Sequence, residues 1–168
     1  EYCGLYWHSD ANPRINPSYH KQKYDMCKSE GVRLLTIFED EWLKNQELIK
    51  QKILHIIGHN SNKCYARKTQ IKIVDEKEKK EFFNKNHIQG DGPSSINYGL
   101  YYKDRLVAVI GFIRQSNHFI LNRYATSCSV VGGFSKLLSH FEKQHNKPKI
   151  ITFADLRWSD GELYEKSE

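Results

Sequence analysis

A mixed α/β fold is predicted by three features of this sequence. Short β-branched and aromatic runs alternate with longer stretches whose apolar residues recur at helical spacing. Clusters of Gly, Pro, Asn and Ser punctuate the runs as turns. Aromatic residues reach 12% (three Trp, ten Tyr, eight Phe), enough large apolar groups to fill a core and to argue against disorder. A length of 168 residues suits one ordinary domain or two small ones. With 27% charged residues and a mean hydropathy of -0.70, no apolar run approaches the roughly 18 to 20 residues that a spanning helix needs.

Tyr2 to Trp7 is apolar and aromatic and predicts a buried strand, followed by a turn-rich loop from Ser9 to Pro17. Ser18 is placed to cap a helix over Tyr19 to Glu30, with Gly31 as its stop. Val32 to Phe38 is mostly apolar and β-branched, the pattern of a strand covered on both faces. Asp40 then opens a helix to about Ile57, where Trp42, Ile49, Ile53 and Ile56 recur at helical spacing and Gly58 ends it. Strand, helix, strand, helix implies parallel strands. The polar stretch from Gly58 to Lys63 reads as a linker, which places a domain boundary between residues 58 and 59.

The second part has a different grammar. Lys63 to Val74 alternates towards its end, as a half-exposed strand does. Asp75 with Glu78 forms a capping-box pattern opening a helix to about Asn86. A loop spans Gly90 to Ser95, and Lys103-Asp104-Arg105 joins Tyr98–Tyr102 to Leu106–Phe112 as a hairpin. Phe119 to Tyr124 is a further strand. Gly132-Gly133 opens a helix with Phe134, Leu137, Leu138 and Phe141 on one face, and Ile150 to Phe153 follows as an apolar strand.

Lys plus Arg exceed Asp plus Glu by 26 to 20, for a net charge of +6. Residues 1–58 hold eight of each, so the whole excess lies in residues 59–168, eighteen against twelve. That asymmetry points to a polyanionic partner for the second module. The cysteines, Cys3, Cys27, Cys64 and Cys128, include no CxxC pair and read as small apolar groups in a reduced compartment. The chain opens inside a strand with no leader and closes without a terminal cap, so a fragment of a larger parent chain or assembly is expected.

His8 stands where the first strand leaves the sheet, the position where α/β layers collect catalytic groups. Its imidazole either exchanges a proton with an attacking water or a leaving oxygen, or closes the core edge with a hydrogen bond. His20, Lys21 and Lys23 occupy the first turns of the next helix, suited to phosphate or to a solvated face. Glu39-Asp40-Glu41 reads as a helix-dipole complement before a metal cluster. In the second module, Arg67, Lys68, His87, Arg123, Lys136 and Arg157 supply charge for a nucleic-acid backbone or a solvated basic surface. Gly132, Gly133 and Ser135 expose amides at a helix start, as a phosphate loop does.

Gly4-Leu5-Tyr6-Trp7-His8, the basic helix, and Gly31-Val32-Arg33 through Phe38-Glu39 together resemble the very-short-patch-repair endonuclease family. The pattern is similar to related phage homing endonucleases of the EDxHD type, within the restriction-endonuclease-like superfamily. The resemblance covers residues 1 to 45 and implies the C-terminal half of that nuclease core. It implies metal-dependent hydrolysis of double-stranded DNA, with Mg²⁺ or another divalent ion held mainly by an Asp on an upstream strand beyond the residues given. His8 carries over as the assisting histidine, Asp10 is the nearby carboxylate and Lys23 neutralises charge. The second module, through Asn86–Gly90, Gly99–Tyr102, Val131–Leu138 and Ala154–Trp158, resembles companion domains of phage homing-endonuclease-like proteins. Val130 to Phe141 also resembles the pyrophosphate loop of the GNAT acetyltransferase-like fold, implying a GNAT-like mixed sheet whose phosphate belongs to acyl-CoA or to DNA. These resemblances imply a mobile-element DNA endonuclease in the cytoplasm of a host or infected cell. A nucleobase- or small-molecule transferase and a non-catalytic DNA-binding module are the alternatives.

Overall fold

The computed structural model describes residues 1–4, 18–59 and 62–159 as a mixed α/β protein of two compact units. One is Glu1–Gln46 with the returning segment that begins at Ala154, and the other is Glu47–Phe153. No helix among the described residues is long and apolar enough to cross a membrane.

In the first unit, β1 (Tyr2–Cys3) pairs in parallel with β2 (Ile37–Phe38), Tyr2 opposite Ile37 and Cys3 opposite Phe38. Between them runs α1 (Tyr19–Ser29). Ser18 stands at its N-cap but with helical backbone angles and no capping bond from its side chain. The stop at Gly31 forms as expected: Gly31 has φ +68°, its N–H bonds Lys28 and that of Val32 bonds Cys27. This pairing satisfies the last helical carbonyls. Of the expected strand Val32–Phe38, Ile37 and Phe38 pair with β1.

Helix α2 (Glu39–Ile56) starts within this unit, leaves helical geometry at Asn45 (φ -134°, ψ 34°) and continues in the second. The units therefore part between Gln46 and Glu47, whereas the polar stretch after Gly58 suggested residue 58. Gly58 (φ +76°) ends α2 as expected, with the His59 N–H bonded to the Leu54 carbonyl. The segment from Ala154 returns to the first unit through long-range polar contacts. Arg157 bonds Glu41, and Arg33 donates to the Trp158 carbonyl at 3.1 Å. With these boundaries the charge separates further. Residues 47–153 hold eighteen Lys/Arg against eight Asp/Glu, net +10, and the remainder holds eight against twelve, net -4.

The second unit is built on a five-stranded sheet. The expected strand 63–74 divides into β3 (Lys63–Tyr65), a 3₁₀ turn (Ala66–Lys68) and β4 (Gln70–Ile73). Then follow α3 (Glu76–Asn86), β5 (Ile96–Tyr102), β6 (Arg105–Arg114), β7 (Phe119–Thr126), β8 (Ser129–Val131), α4 (Gly133–Gln144) and β9 (Ile150–Thr152). The sheet order is β4-β5-β6-β7-β9, antiparallel except that β9 joins β7 in parallel across α4. β3 and β8 form a separate parallel pair, Cys64 opposite Val130.

Central β6 is buried from Val107 through Phe112 because helices cover both its faces. Val109 packs with Phe82 and Phe83 of α3 and with Val74 and Ala125. Phe112, of opposite parity along the strand, stacks on Phe141 of α4 with ring centroids 3.6 Å apart. Asp75 caps α3 by accepting the Glu78 N–H at 2.9 Å. Glu78 accepts the Tyr101 hydroxyl at 2.6 Å, which ties the helix to the sheet. β9 follows β7 only over Phe119–Leu121, so from Asn122 to Thr126 that side of β7 carries no strand partner among the described residues.

Candidate active site

Strand and helix periodicity together build a polar cluster in the first unit. Glu1 and Cys3, two residues apart flanking and within β1, project to one side. His20 and Lys23, three apart on α1, share a helix face. Glu1 Oε1 meets Lys23 Nζ at 2.7 Å, and ligand atoms of Glu1, Cys3 and His20 all lie within 4.8 Å of one another. The His20 ring stands edge-on to Phe38 of β2, with centroids 5.6 Å apart, and to Tyr19 at 5.4 Å. A half-buried imidazole, an ammonium and a carboxylate thus converge where β1 faces α1.

The electrostatics follow from these neighbours. The hydrogen bond to Glu1 holds the Lys23 ammonium above its ordinary pKa. Burial raises the Cys3 thiol, and the Glu1 charge adds to that, so the sulfur is held protonated. Mg²⁺ requires a near-octahedral set of oxygens, and of the three clustered donors only Glu1 offers oxygen. This set does not fit Mg²⁺; sulfur, imidazole nitrogen and one carboxylate suit a borderline transition ion better.

Of the residues expected here, His20 and Lys23 join the cluster and Lys21 is exposed. His8 and Asp10 lie outside the described residues. Sequence reasoning missed Glu1 and Cys3. Their shared side was legible in the strand period, but the pairing with a helix some twenty residues on was not.

In the second unit, two separately expected features come together. Arg67 and Lys68 are exposed on the 3₁₀ turn, and a Cβ placed on Gly132 would lie 3.8 Å from Ala66 Cβ of that turn. Gly132 caps α4 with φ +74°, a left-handed conformation that favours glycine. Gly133 is tighter: a Cβ there would meet Val130 Cγ1 at 2.8 Å and the Tyr124 hydroxyl at 3.0 Å. Ser135 is exposed on the first helical turn. Arg67 also lies over the Tyr65 ring, 5.2 Å from its centroid.

The other expected contact residues have partners within the fold. Lys136 donates to the Ala66 carbonyl at 2.8 Å and to the Thr69 carbonyl, bracing the 3₁₀ turn against α4. Arg123 donates to its neighbour Asn122, at 2.9 Å to the carbonyl. His87 caps the end of α3, its Nδ1 accepting the Gln89 N–H at 3.2 Å. In the first unit Arg157 is held by Asp155 at 2.6 Å and Glu41 at 2.9 Å. Burial alone would lower its pKa, but those two carboxylates outweigh it and raise it. No family model, curated protein or solved structure matches this chain.

Proposed function

We propose that this chain is a DNA endonuclease of the homing or mobile-element type. The first unit contributes hydrolytic chemistry and the second a basic grip on the phosphate backbone. The observation that carries this is the convergence of Glu1, His20 and Lys23 from β1 and α1. In phosphodiester hydrolysis a water oxygen attacks phosphorus, a P–O ester bond breaks, and the departing alkoxide takes up a proton. In this reading the His20 imidazole takes the proton of the attacking water. Lys23 neutralises charge gathering on the phosphoryl oxygens, and Glu1 keeps that ammonium charged and in place. The net +10 of residues 47–153, with Arg67 and Lys68 exposed, supports backbone binding that weakens steeply with salt.

The decisive assay is cleavage of supercoiled plasmid in Mg²⁺, Mn²⁺ and Zn²⁺. His20→Ala and Lys23→Ala are expected to slow cleavage by roughly a hundredfold or more, as loss of a proton-transfer group does. Intact plasmid under every ion, or variants as active as the parent, would overturn the proposal.

A second function is favoured by one observation in the other unit. Four antiparallel strands followed by Gly132-Gly133, α4 and a parallel β9 support a GNAT-like transferase whose loop holds an acyl-CoA pyrophosphate. Protection of the Gly132 and Gly133 amides from hydrogen exchange by acetyl-CoA is its expected signature. Unchanged exchange at saturating acetyl-CoA would exclude it.

A further inference from the structure

A cavity of about 450 Å³ lies wholly within the second unit, between the later half of α2 and the β7–β8 stretch. Its volume falls in the range of small-molecule sites, roughly 300 to 1,000 Å³. Two features of its wall are informative.

The first is charge. Lys52, His55 and His59 line the cavity, and no carboxylate does among the described residues. Lys52 is half-buried and makes no ion pair among the described residues, and burial pushes its pKa down. A partly desolvated ammonium facing a cavity without an acid is a cation lacking its counter-charge, a costly arrangement that an incoming anion relieves. Elsewhere in the unit a buried lysine is treated differently: Lys79 is met by Glu76 at 2.7 Å and Asp91 at 3.2 Å.

The second is hydrogen-bonding capacity. Gln51, Asn62 and Asn86 line the wall with Tyr124 and Thr126. The Asn86 amide N–H already donates to the Phe82 carbonyl at 2.8 Å, and the Tyr124 hydroxyl lies near Gly133. That leaves Gln51, Asn62 and Thr126 as the groups to meet a ligand. Tyr124 and Thr126 belong to the part of β7 that β9 does not follow, so the sheet edge there borders the cavity. Such a wall matches a ligand with a polar, hydrogen-bonding body as well as an anionic end.

We propose that this cavity is a binding site for a phosphate ester of nucleotide size, its anion met by Lys52 and its polar body by Gln51, Asn62 and Thr126. The site goes beyond the endonuclease function and stands independently of it, since none of its residues belongs to the Glu1–His20–Lys23 cluster.

The test uses the full chain and adenosine 5′-monophosphate as probe, with adenosine as the uncharged comparator. Calorimetry at low ionic strength is expected to show the nucleotide binding at least about tenfold more tightly than adenosine, the scale of one charge-assisted hydrogen bond. Lys52→Met should weaken nucleotide binding by roughly ten- to a hundredfold and leave adenosine unchanged, while Lys52→Arg retains most of the affinity. Amide resonances of Thr126 to Ser129 should shift on titration in the parent chain. Plasmid cleavage by Lys52→Met should equal that of the parent, which separates failure here from failure of the nuclease proposal. Undetectable nucleotide binding, equal binding of adenosine, indifference to Lys52→Met, or shifts confined to Gly132 and Gly133 would each overturn the proposal.

Discussion

The two units differ in how they spend their residues. Among the described residues, the second buries Phe83, Phe112, Phe141, Leu100, Ile110 and Leu137 almost completely, around a sheet covered on both faces. Among the described residues of the first, α1 buries none, and the buried side chains are Cys3 and Thr36. Charge divides the same way, net +10 against net -4. The apolar core of the second unit provides a rigid support for basic side chains. In the first, the polar groups that converge do so from one short strand with its flanking residue and a largely exposed helix. Packing and chemistry are thus weighted to different parts of one chain, and substitutions in the two should report on different properties.

The largest expected effect lies in the core of the second unit. Phe141→Ala removes the stack on Phe112 and the edge contacts to Tyr98 and Phe119, and should cost about 3–5 kcal/mol in urea unfolding. A smaller loss would show that the sheet face relaxes to fill the cavity.

Next is Lys79, 1% exposed and paired with Glu76 and Asp91. Lys79→Met leaves the Asp91 carboxylate with less compensation and should cost up to about 3 kcal/mol. Burial by itself would lower the lysine pKa, but the bonds to Glu76 and Asp91 outweigh it and raise it above 10.5. A raised lysine stabilises the fold fully below its unfolded pKa, and that contribution disappears as pH rises through the folded value. Stability should therefore fall in alkali above about pH 10.4, and Lys79→Met should flatten that limb of the pH–stability curve.

A more modest effect is expected at the α3 cap. Asp75→Ala should cost about 1 kcal/mol, measured by the unfolding midpoint, with Asp75→Ser recovering most of it. The smallest falls in the first unit. Lys23→Ala breaks a pair whose side chains are 38% and 15% exposed, and should leave the unfolding midpoint nearly unchanged. A large destabilisation by Lys23→Ala would break the contrast between the units and mark the cluster as structural.

Local signals are legible where the chain settles its own geometry. Gly31 and Gly58 end helices because left-handed glycines turn the chain back onto the last carbonyls, and Asp75 caps α3 through a bond three residues long. The apolar face of α4, from Phe134 to Phe141, is buried as its spacing foretold. Strand lengths were less legible. Val32–Thr36 has strand composition, but composition does not say which residues meet a partner, and β2 pairs with β1 through Ile37 and Phe38. The division between Gln46 and Glu47 is equally illegible in sequence: Asn45 is an unremarkable residue within a helical pattern, and Arg157 reaches Glu41 across 116 residues.

The candidate site divides along the same line. His20 and Lys23 were legible as basic groups near a helix start, and Arg67, Lys68 and the Gly132-Gly133 pair as separate phosphate-binding elements. Composition and short-range periodicity by themselves determined the mixed α/β class, the helix ends, the capping of α3 and the concentration of positive charge late in the chain. Tertiary structure alone decided that Glu1 and Cys3 meet His20, that Lys136 is a brace, that the 3₁₀ turn lies against Gly132, and that Lys52 lines a cavity without a carboxylate. The physical reason is range. Backbone caps and side-chain periods act within a few residues, whereas a cation's partner is whichever group the fold carries to within a few ångströms, however distant in sequence.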